Sequence, residues 1–347
     1  MEFIKMNLQL FATAGDVINA TTGYSNSADK NAFETSNAMS PTMKTFYDTE
    51  LLENARSNLV FAQFGKKQPL PANRGRTIEW RKWNTLPKAE VLTEGVIPTG
   101  QKMGMTAMTE QLEQHGMFVA ITDLLDLHAI DNVLLGATEE LGASAGETMD
   151  ALIRNKLQTV NSVIICDKVT DGVSTEVKEY SGMAANNNRL TPDMVNKAVT
   201  KLKKNKAPTI NGKYVAIIHP SVSYDLRSSK EWIESHKYAA TTEIFNGEIG
   251  ELHGVRFVET TNAKITEHTS GVAVYTTLFL GKDAYGIVDP EGGSLEMIVK
   301  DKSEVGGPLE QYSTAGYKFE HACKILYPER MVRVESCSAY STSDKQN

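Results

Sequence analysis

Apolar residues recur every three or four positions from Met43 through Phe46, Tyr47, Leu51, Leu52, Ala55, Leu59, Val60 and Phe64, which predicts one amphipathic helix that Gly65 stops. A second run starts after Asp123, a candidate N-cap. Leu124, Leu127, Ile130, Leu134, Ala137, Leu141, Ala145, Met149, Leu152 and Leu157 follow at helical spacing, the strongest periodic signal in the chain. Gly136, Gly142 and Gly146 fall inside this run. Each costs up to about 1 kcal/mol relative to alanine in a regular helix. Two explanations offset that cost: close approach of another backbone, or a helix that must bend.

Between these runs, Lys66 to Gln114 is interrupted by Pro69, Pro71, Pro87 and Pro98 and by Gly75, Gly95, Gly100 and Gly104. Within it, Thr77-Ile78-Glu79-Trp80-Arg81-Lys82-Trp83 begins with alternation, and Gln114 to Ile121 reads as a returning strand. The expectation is an extended two-stranded excursion. Stretches this long and poor in core residues usually act by reaching something else. Trp80 and Trp83 fit equally a plug in this chain's own core and a contact with a neighbour. Residues 12–42, rich in Ala, Thr, Ser, Asn and Gly, hold too little apolar surface to offset the entropy of ordering them alone, and read as an arm that needs a partner surface.

Farther along, Thr191-Pro192-Asp193 opens a helix with Thr191 as cap and Pro192 at the first position, carrying Met194, Val195, Ala198, Val199 and Leu202. Tyr214 to Ile218 is an expected buried strand ended by His219-Pro220. Ser221 to Trp232 is helical, and Gly254 to Glu259 and Val272 to Leu280 are strands. The alternation indicates an α/β or α+β domain between about 190 and 310. Tyr317 to Leu326 and Arg330 to Glu335 alternate as strands around Pro328, and are expected to pair with strands from before residue 190.

Composition narrows the function. Lys plus Arg is 36 against 43 Asp plus Glu, a net charge of −7, whereas gripping polyphosphate by displacing counterions needs a basic excess. Avid DNA binding by the whole chain is therefore disfavoured. Cys166, Cys323 and Cys337 form no CxxC pair and read as buried apolar residues in a reducing compartment. The longest apolar stretches, such as Gly271 to Leu280, fall short of a membrane helix, so no membrane association is expected. Lys5, the Met6 to Phe11 run and Ala12-Thr13-Ala14 mimic a signal peptide, but Glu2, Asn7 and Gln9 break the pattern.

Chemical motifs are sparse. Gly142-Ala143-Ser144-Ala145-Gly146 matches GxSxG, yet a nucleophile elbow needs a strand before the serine, and Glu139-Glu140-Leu141 continue the helical period. The 7 histidines include no HExxH and no paired Cys/His zinc spacing, so no metal is expected. No GxGxxG or phosphate loop is present, so no cofactor is expected either. Lys201, Lys203, Lys204 and Lys206 gather at a predicted helix C-terminus, where cations meet the helix dipole favourably and a solvated end is the simplest reading. The Lys66, Lys67, Arg74, Arg76, Arg81 and Lys82 group lies on the excursion, suited to acidic patches on a neighbouring subunit or to keeping an exposed hairpin soluble.

The order of parts, namely arm, long β excursion, long helix with glycines, inserted α/β domain and closing strand, resembles the major capsid protein of tailed bacteriophages, the α+β Hong Kong 97-type fold. Blocks at Phe46 to Leu52, Gly75 to Arg81, Leu92 to Gly95, Ile121 to Asp123, Gly250 to Phe257 and Glu329 to Val334 resemble the branch typified by coliphage N-four. The resemblance implies an arm and helix over 1–64, an E-loop over 65–121, a peripheral domain with a spine helix over 122–190, an axial domain over 191–309 and return strands over 310–347. It implies a non-enzymatic shell protein that assembles with itself into hexamers and pentamers around double-stranded DNA, which it encloses without tight binding. A separate scaffold, a portal and decoration proteins are the other expected partners, with assembly in the host bacterial cytoplasm and residence in the virion capsid.

Inter-subunit contact candidates are Arg74, Arg76, Trp80, Arg81, Lys82 and Trp83, and spine-bending candidates are Gly136, Gly142 and Gly146. The lysines Lys66, Lys67, Lys82, Lys88 and Lys102 carry no signature of a cross-link, so none is expected. The alternatives are an encapsulin-like nanocompartment and a serine hydrolase using Ser144.

Overall fold

The computed structural model describes residues 60–71, 75–89, 91–92, 94–95, 97, 100–128, 133–170, 173–183, 187–233, 248–267, 272–290, 294–305, 309–341 and 344–347. The expected arm, most of the first helical run and Arg74 lie outside the described residues. The described elements begin with β1 (Lys66–Leu70), β2 (Thr77–Trp83), β3 (Met105–Gln111), β4 (Glu113–Thr122), α1 (Asp123–His128), α2 (Val133–Leu157), β5 (Val163–Ile165), β6 (Lys168–Thr170), β7 (Val173–Thr175), α3 (Pro192–Lys204), β8 (Tyr214–Ile218) and α4 (Pro220–Arg227). They continue with β9 (Glu248–Leu252), β10 (Val255–Glu259), β11 (Ile265–Glu267), β12 (Ala273–Leu280), β13 (Tyr285–Pro290), β14 (Glu296–Lys300), α5 (Lys302–Val305), β15 (Tyr312–His321), β16 (Cys323–Ile325) and β17 (Met331–Ser336).

The chain divides into two compact units. The first joins 1–60, 114–151 and 292–321, and the second joins 61–113, 152–291 and 322–347.

The first unit is built on a three-stranded sheet in the order β14-β15-β4. Glycines let β4 and β15 come together. A Cβ at Gly116 would sit 2.7 Å from the Tyr317 carbonyl oxygen, and one at Gly316 would sit 2.7 Å from the Phe118 Cβ. Real Cβ atoms do not approach backbone this closely, so any side chain here would push the strands apart. Tyr317 and Phe319 stack at 6.1 Å, and His115 lies 5.6 Å from Phe319.

The second unit centres on a seven-stranded mixed sheet in the order β5-β17-β12-β8-β10-β9, with β11 on β12. Every residue of β8 and of β12 is buried, which explains why Tyr214 to Ile218 reads as an unbroken apolar run. α3 supplies Met194, Val195, Ala198, Val199 and Leu202 to a core shared with Phe257, Tyr275, Phe279, Val332 and Val334. Thr191 caps α3 by accepting the Met194 N–H at 3.5 Å, and Pro192 occupies the first turn, as its sequence predicts. His219 Nδ1 accepts the Ser221 N–H at 3.2 Å and caps α4; after a turn at 228–229 the chain is helical again over 230–233, so the expected Ser221 to Trp232 helix is interrupted once.

The run from Asp123 is helical over Asp123–His128 and Val133–Leu157, with 129–132 outside the described residues. One expectation changes. β2 pairs with β3, in register from Thr77↔Gln111 to Trp83↔Met105, and not with the 114–121 strand. That strand, β4, joins β15 instead. β3 reads Met-Thr-Ala-Met-Thr-Glu-Gln and its residues are exposed or half-buried, so no alternation of apolar residues marks it in the sequence. The closing strands pair with strands from before residue 190 as expected: β15 lies beside β4, and β17 pairs in parallel with β5 as well as with β12.

Candidate assembly surfaces

The β2–β3 hairpin is anchored at its base and bare at its tip. At the base, Leu112 N–H donates to the Arg76 carbonyl at 2.9 Å, and Arg76 Nε donates to the Leu112 carbonyl at 2.6 Å. Ile78 and Trp80 point into a small core with Leu112, Val288, Ala322 and Leu326. Glu110, on β3, accepts from Lys156 Nζ at 2.5 Å and from Lys324 Nζ at 2.7 Å. Burial works to raise the Glu110 pKa, but the two lysine hydrogen bonds outweigh it and hold the carboxyl below its usual range. Lys82 Nζ donates to Glu329 at 2.7 Å and sits 4.3 Å over the Tyr327 ring, which also carries the Arg330 guanidinium at 3.7 Å.

Beyond Lys82 this anchoring ends. Asn84 closes the ladder by donating its N–H to the Gly104 carbonyl at 2.9 Å, and its side chain accepts from Thr106 Oγ1 at 2.8 Å. The described residues from there to Met103 expose Leu86, Val91, Leu92, Ile97 and Met103, with Val91 97% and Ile97 93% accessible. So much apolar surface in one loop makes it a candidate contact site.

The sequence-predicted contact residues therefore separate. Trp83 is 61% exposed and Arg81 is exposed and ion-paired to Glu79 at 2.6 Å, so both are on the hairpin surface. Trp80 is 7% exposed and packs in the small core with Ile78 and Leu112, the core reading of its two alternatives. Arg76 and Lys82 hold the hairpin base through Leu112 and Glu329. The apolar tip residues Leu86, Val91 and Ile97 are what sequence reasoning missed, because exposed aliphatics scattered among prolines and glycines show no period.

In α2, Gly136 is exposed, with nothing within 4 Å of an added Cβ, whereas Gly142 and Gly146 are buried. Ser144 lies within the same unbroken helix. Its hydroxyl is 3.2 Å from the Tyr317 hydroxyl, and its carbonyl accepts from Thr148 Oγ1 at 2.7 Å. The strand-to-helix turn that a GxSxG serine needs is not formed here.

In the first unit, His321 is buried with Nε2 lacking a hydrogen-bond partner. Burial, and then the neighbouring His115, push its pKa down to about 4. Burial likewise raises all three thiols, Cys323 to about 12. Among the described residues no group of three or more His, Cys, Asp or Glu is placed to hold a metal ion, and no helix is long and apolar enough to cross a membrane.

Residues 137–304 match a family model described as phage capsid protein. No curated protein matches the sequence. Among solved structures, the capsid of cyanophage Pam1 aligns with a TM-score of 0.60 at 14% identity, over 92% of this chain and 100% of that one. The capsid of cyanophage P-SCSP1u aligns with a TM-score of 0.59 at 15% identity, over 81% and 88%. The capsid of Ralstonia phage GP4 gives 0.56 at 12% identity, over 78% and 87%. The α+β fold is thus the Hong Kong 97-type fold of phage capsid proteins.

Proposed function

We infer that this chain is a phage major capsid protein, a structural subunit whose copies form the capsid shell. The observation that carries this reading is the β2–β3 hairpin: fixed at its root by Trp80, Arg76, Glu110 and Lys82, it ends in apolar side chains that have no core of their own. An anchored arm with an apolar tip suits a subunit that binds its neighbours. Repeated around a closed shell, modest contacts of this kind accumulate avidity. The matched phage capsid segment favours this reading over a nanocompartment of the same fold, and the helical setting of Ser144 disfavours a hydrolase.

In finer terms, the copies assemble as hexamers and pentamers of an icosahedral shell around double-stranded DNA, in the cytoplasm of a bacterial host. A separate scaffold, a portal and decoration proteins complete the particle. The blocks resembling the N-four branch support a place there. Residues 65–121 act as the E-loop, 122–190 as the peripheral domain with its spine, 191–309 as the axial domain and 310–347 as the return strands.

Electron microscopy of the purified protein across salt and protein concentration tests the reading. Closed, thin-walled shells of uniform size are the expected result. Monomers or small oligomers under every condition, with and without co-expressed scaffold, would overturn it.

A further inference from the structure

Three loops of the second unit meet at Gly281. A Cβ there would lie 3.0 Å from the Pro208 carbonyl oxygen and 3.3 Å from that of Arg330, so a side chain would crowd both loops. Backbone hydrogen bonds lock the junction: Lys282 N–H to Pro208 at 2.9 Å and Gly281 N–H to Arg330 at 2.8 Å. Arg330 adds its own donation to the Lys282 carbonyl at 2.9 Å.

The three loops bring together Lys203, Lys204 and Lys206 from the end of α3, Lys282 from the turn after β12, and Arg330. Lys203, Lys204, Lys206 and Lys282 are exposed, and among the described residues none of the four has an ion pair. Five cations stand against two neighbouring acids, Asp283 next to Lys282 and Glu329, and Glu329 is already bound by Lys82.

The α3 terminus itself supplies a second observation. Ala207 N–H bonds to the Leu202 carbonyl at 3.0 Å and Lys206 N–H to that of Lys203 at 2.9 Å, the paired pattern that closes a helix through a left-handed residue. That residue is Lys206, at φ +55°, where glycine is the usual occupant and a side chain adds backbone strain. A cation is held in a strained position within a fixed basic surface.

We propose that this basic junction of Lys203, Lys204, Lys206, Lys282 and Arg330 docks on the acidic face of α2 in a second copy of the chain. From Val133 to Ala151 that helix carries no Lys or Arg and exposes Glu139, Glu140 and Glu147, while Asp150 is buried. Glu139, Glu140 and Glu147 are exposed and, among the described residues, without ion pairs. Glu140 and Glu147 stand two turns apart on one face, about 10 Å along the axis. One chain thus offers two complementary charged surfaces, each uncompensated within itself, which suits steering and register between identical subunits. A net charge of −7 argues for this partner over polyphosphate. The inference rests on the shell reading above.

The test is a charge swap. One variant carries Lys203→Glu, Lys204→Glu, Lys206→Glu and Lys282→Glu. A second carries Glu139→Lys, Glu140→Lys and Glu147→Lys, and a third carries all seven. Shell yield is read by light scattering and electron microscopy at 50 to 500 mM NaCl, on the order of the range over which surface charges become screened. Each half-swap should lower yield at low salt at least about tenfold, and the full swap should restore most of it. A milder set with Gln at the four lysines, checked for folding by circular dichroism, should give an intermediate yield.

Folded half-swap variants that assemble like wild type overturn the inference, as does a full swap no better than either half. So does a lysine variant that assembles normally but loses bound DNA, which would assign the junction to polyphosphate. Failure of wild type to form shells, with or without scaffold, removes the capsid reading, and this inference with it.

Discussion

Trp80 lies against Gly286 so closely that a Cβ on that glycine would stand 3.1 Å from the indole ring. This contact seats the hairpin on the sheet formed by β1, β13 and β16, whose residue Val288 shares the same small core. Trp80→Ala removes a buried aromatic and should cost about 3–5 kcal/mol. The indole N–H is buried without a partner, so Trp80→Phe should cost much less than the alanine change. Chemical denaturation of the two variants separates these values, and equal losses would mean that the indole nitrogen has a partner after all.

Glu110 ties β3 to Lys156, in α2, and to Lys324, in β16. It leaves two cations facing one another when removed. Glu110→Gln should destabilise by about 1–3 kcal/mol, because a charge-assisted pair is replaced by a neutral acceptor. The carboxyl pKa is lowered in the folded chain, so the stabilisation is present above its ordinary value of 4.5 and disappears as pH falls through the folded value. Urea titrations of wild type and Glu110→Gln should differ at pH 7 and converge in acid.

His321 gives a second pH dependence at a higher range. Burial and His115 depress its pKa from 6.5 to about 4, so the folded chain resists a proton that the unfolded chain accepts. Stability present above pH 6.5 is therefore lost as pH falls towards about 4, by about 3 kcal/mol in total. His321→Leu removes both the titrating group and the unpartnered Nε2. Its unfolding midpoint should vary less with pH over that window than that of wild type, and an identical pH profile would count against the assignment.

The periodic signals show where this sequence is legible. β8 is read to the residue from its apolar run, and α3 from Thr191 and Pro192, because local propensity, capping and core facing agree there. Pairing of the hairpin is misread, because β3 presents polar and small residues to solvent and its partner choice is set by Ile78 and Trp80 finding a core drawn partly from residues 288, 322 and 326. The candidate surface is half legible. Trp80 and Trp83 are three residues apart with similar chemistry, and only the fold assigns one to the core and the other to the outside.

The hairpin tip should matter to assembly and not to folding. Val91 and Ile97 are almost fully accessible, so Val91→Ser with Ile97→Ser removes no contact within the described subunit. Thermal stability should stay within about 0.5 kcal/mol of wild type. Shell formation should fall sharply if the tip buries these side chains against a neighbour, since two aliphatic side chains contribute about 3–6 kcal/mol when fully buried. Electron microscopy and a melting curve on the same sample distinguish the two effects, and normal shells would remove the tip from the interface.

The glycines of α2 divide by environment, and so should their alanine variants. Gly136 is exposed and helical with open space around its missing side chain, so Gly136→Ala should raise stability by about 0.5–1 kcal/mol through the unfolded state alone. Gly142 and Gly146 are buried one turn apart on the same face, and only there does an added methyl change what the helix can do. If the helix bends in an early shell and straightens as the shell expands, Gly142→Ala with Gly146→Ala should stiffen it and alter expansion, while Gly136→Ala leaves expansion unchanged. Time-resolved microscopy of shells assembled from the two variants reads this directly. Equal expansion in both would return the buried glycines to a purely packing role.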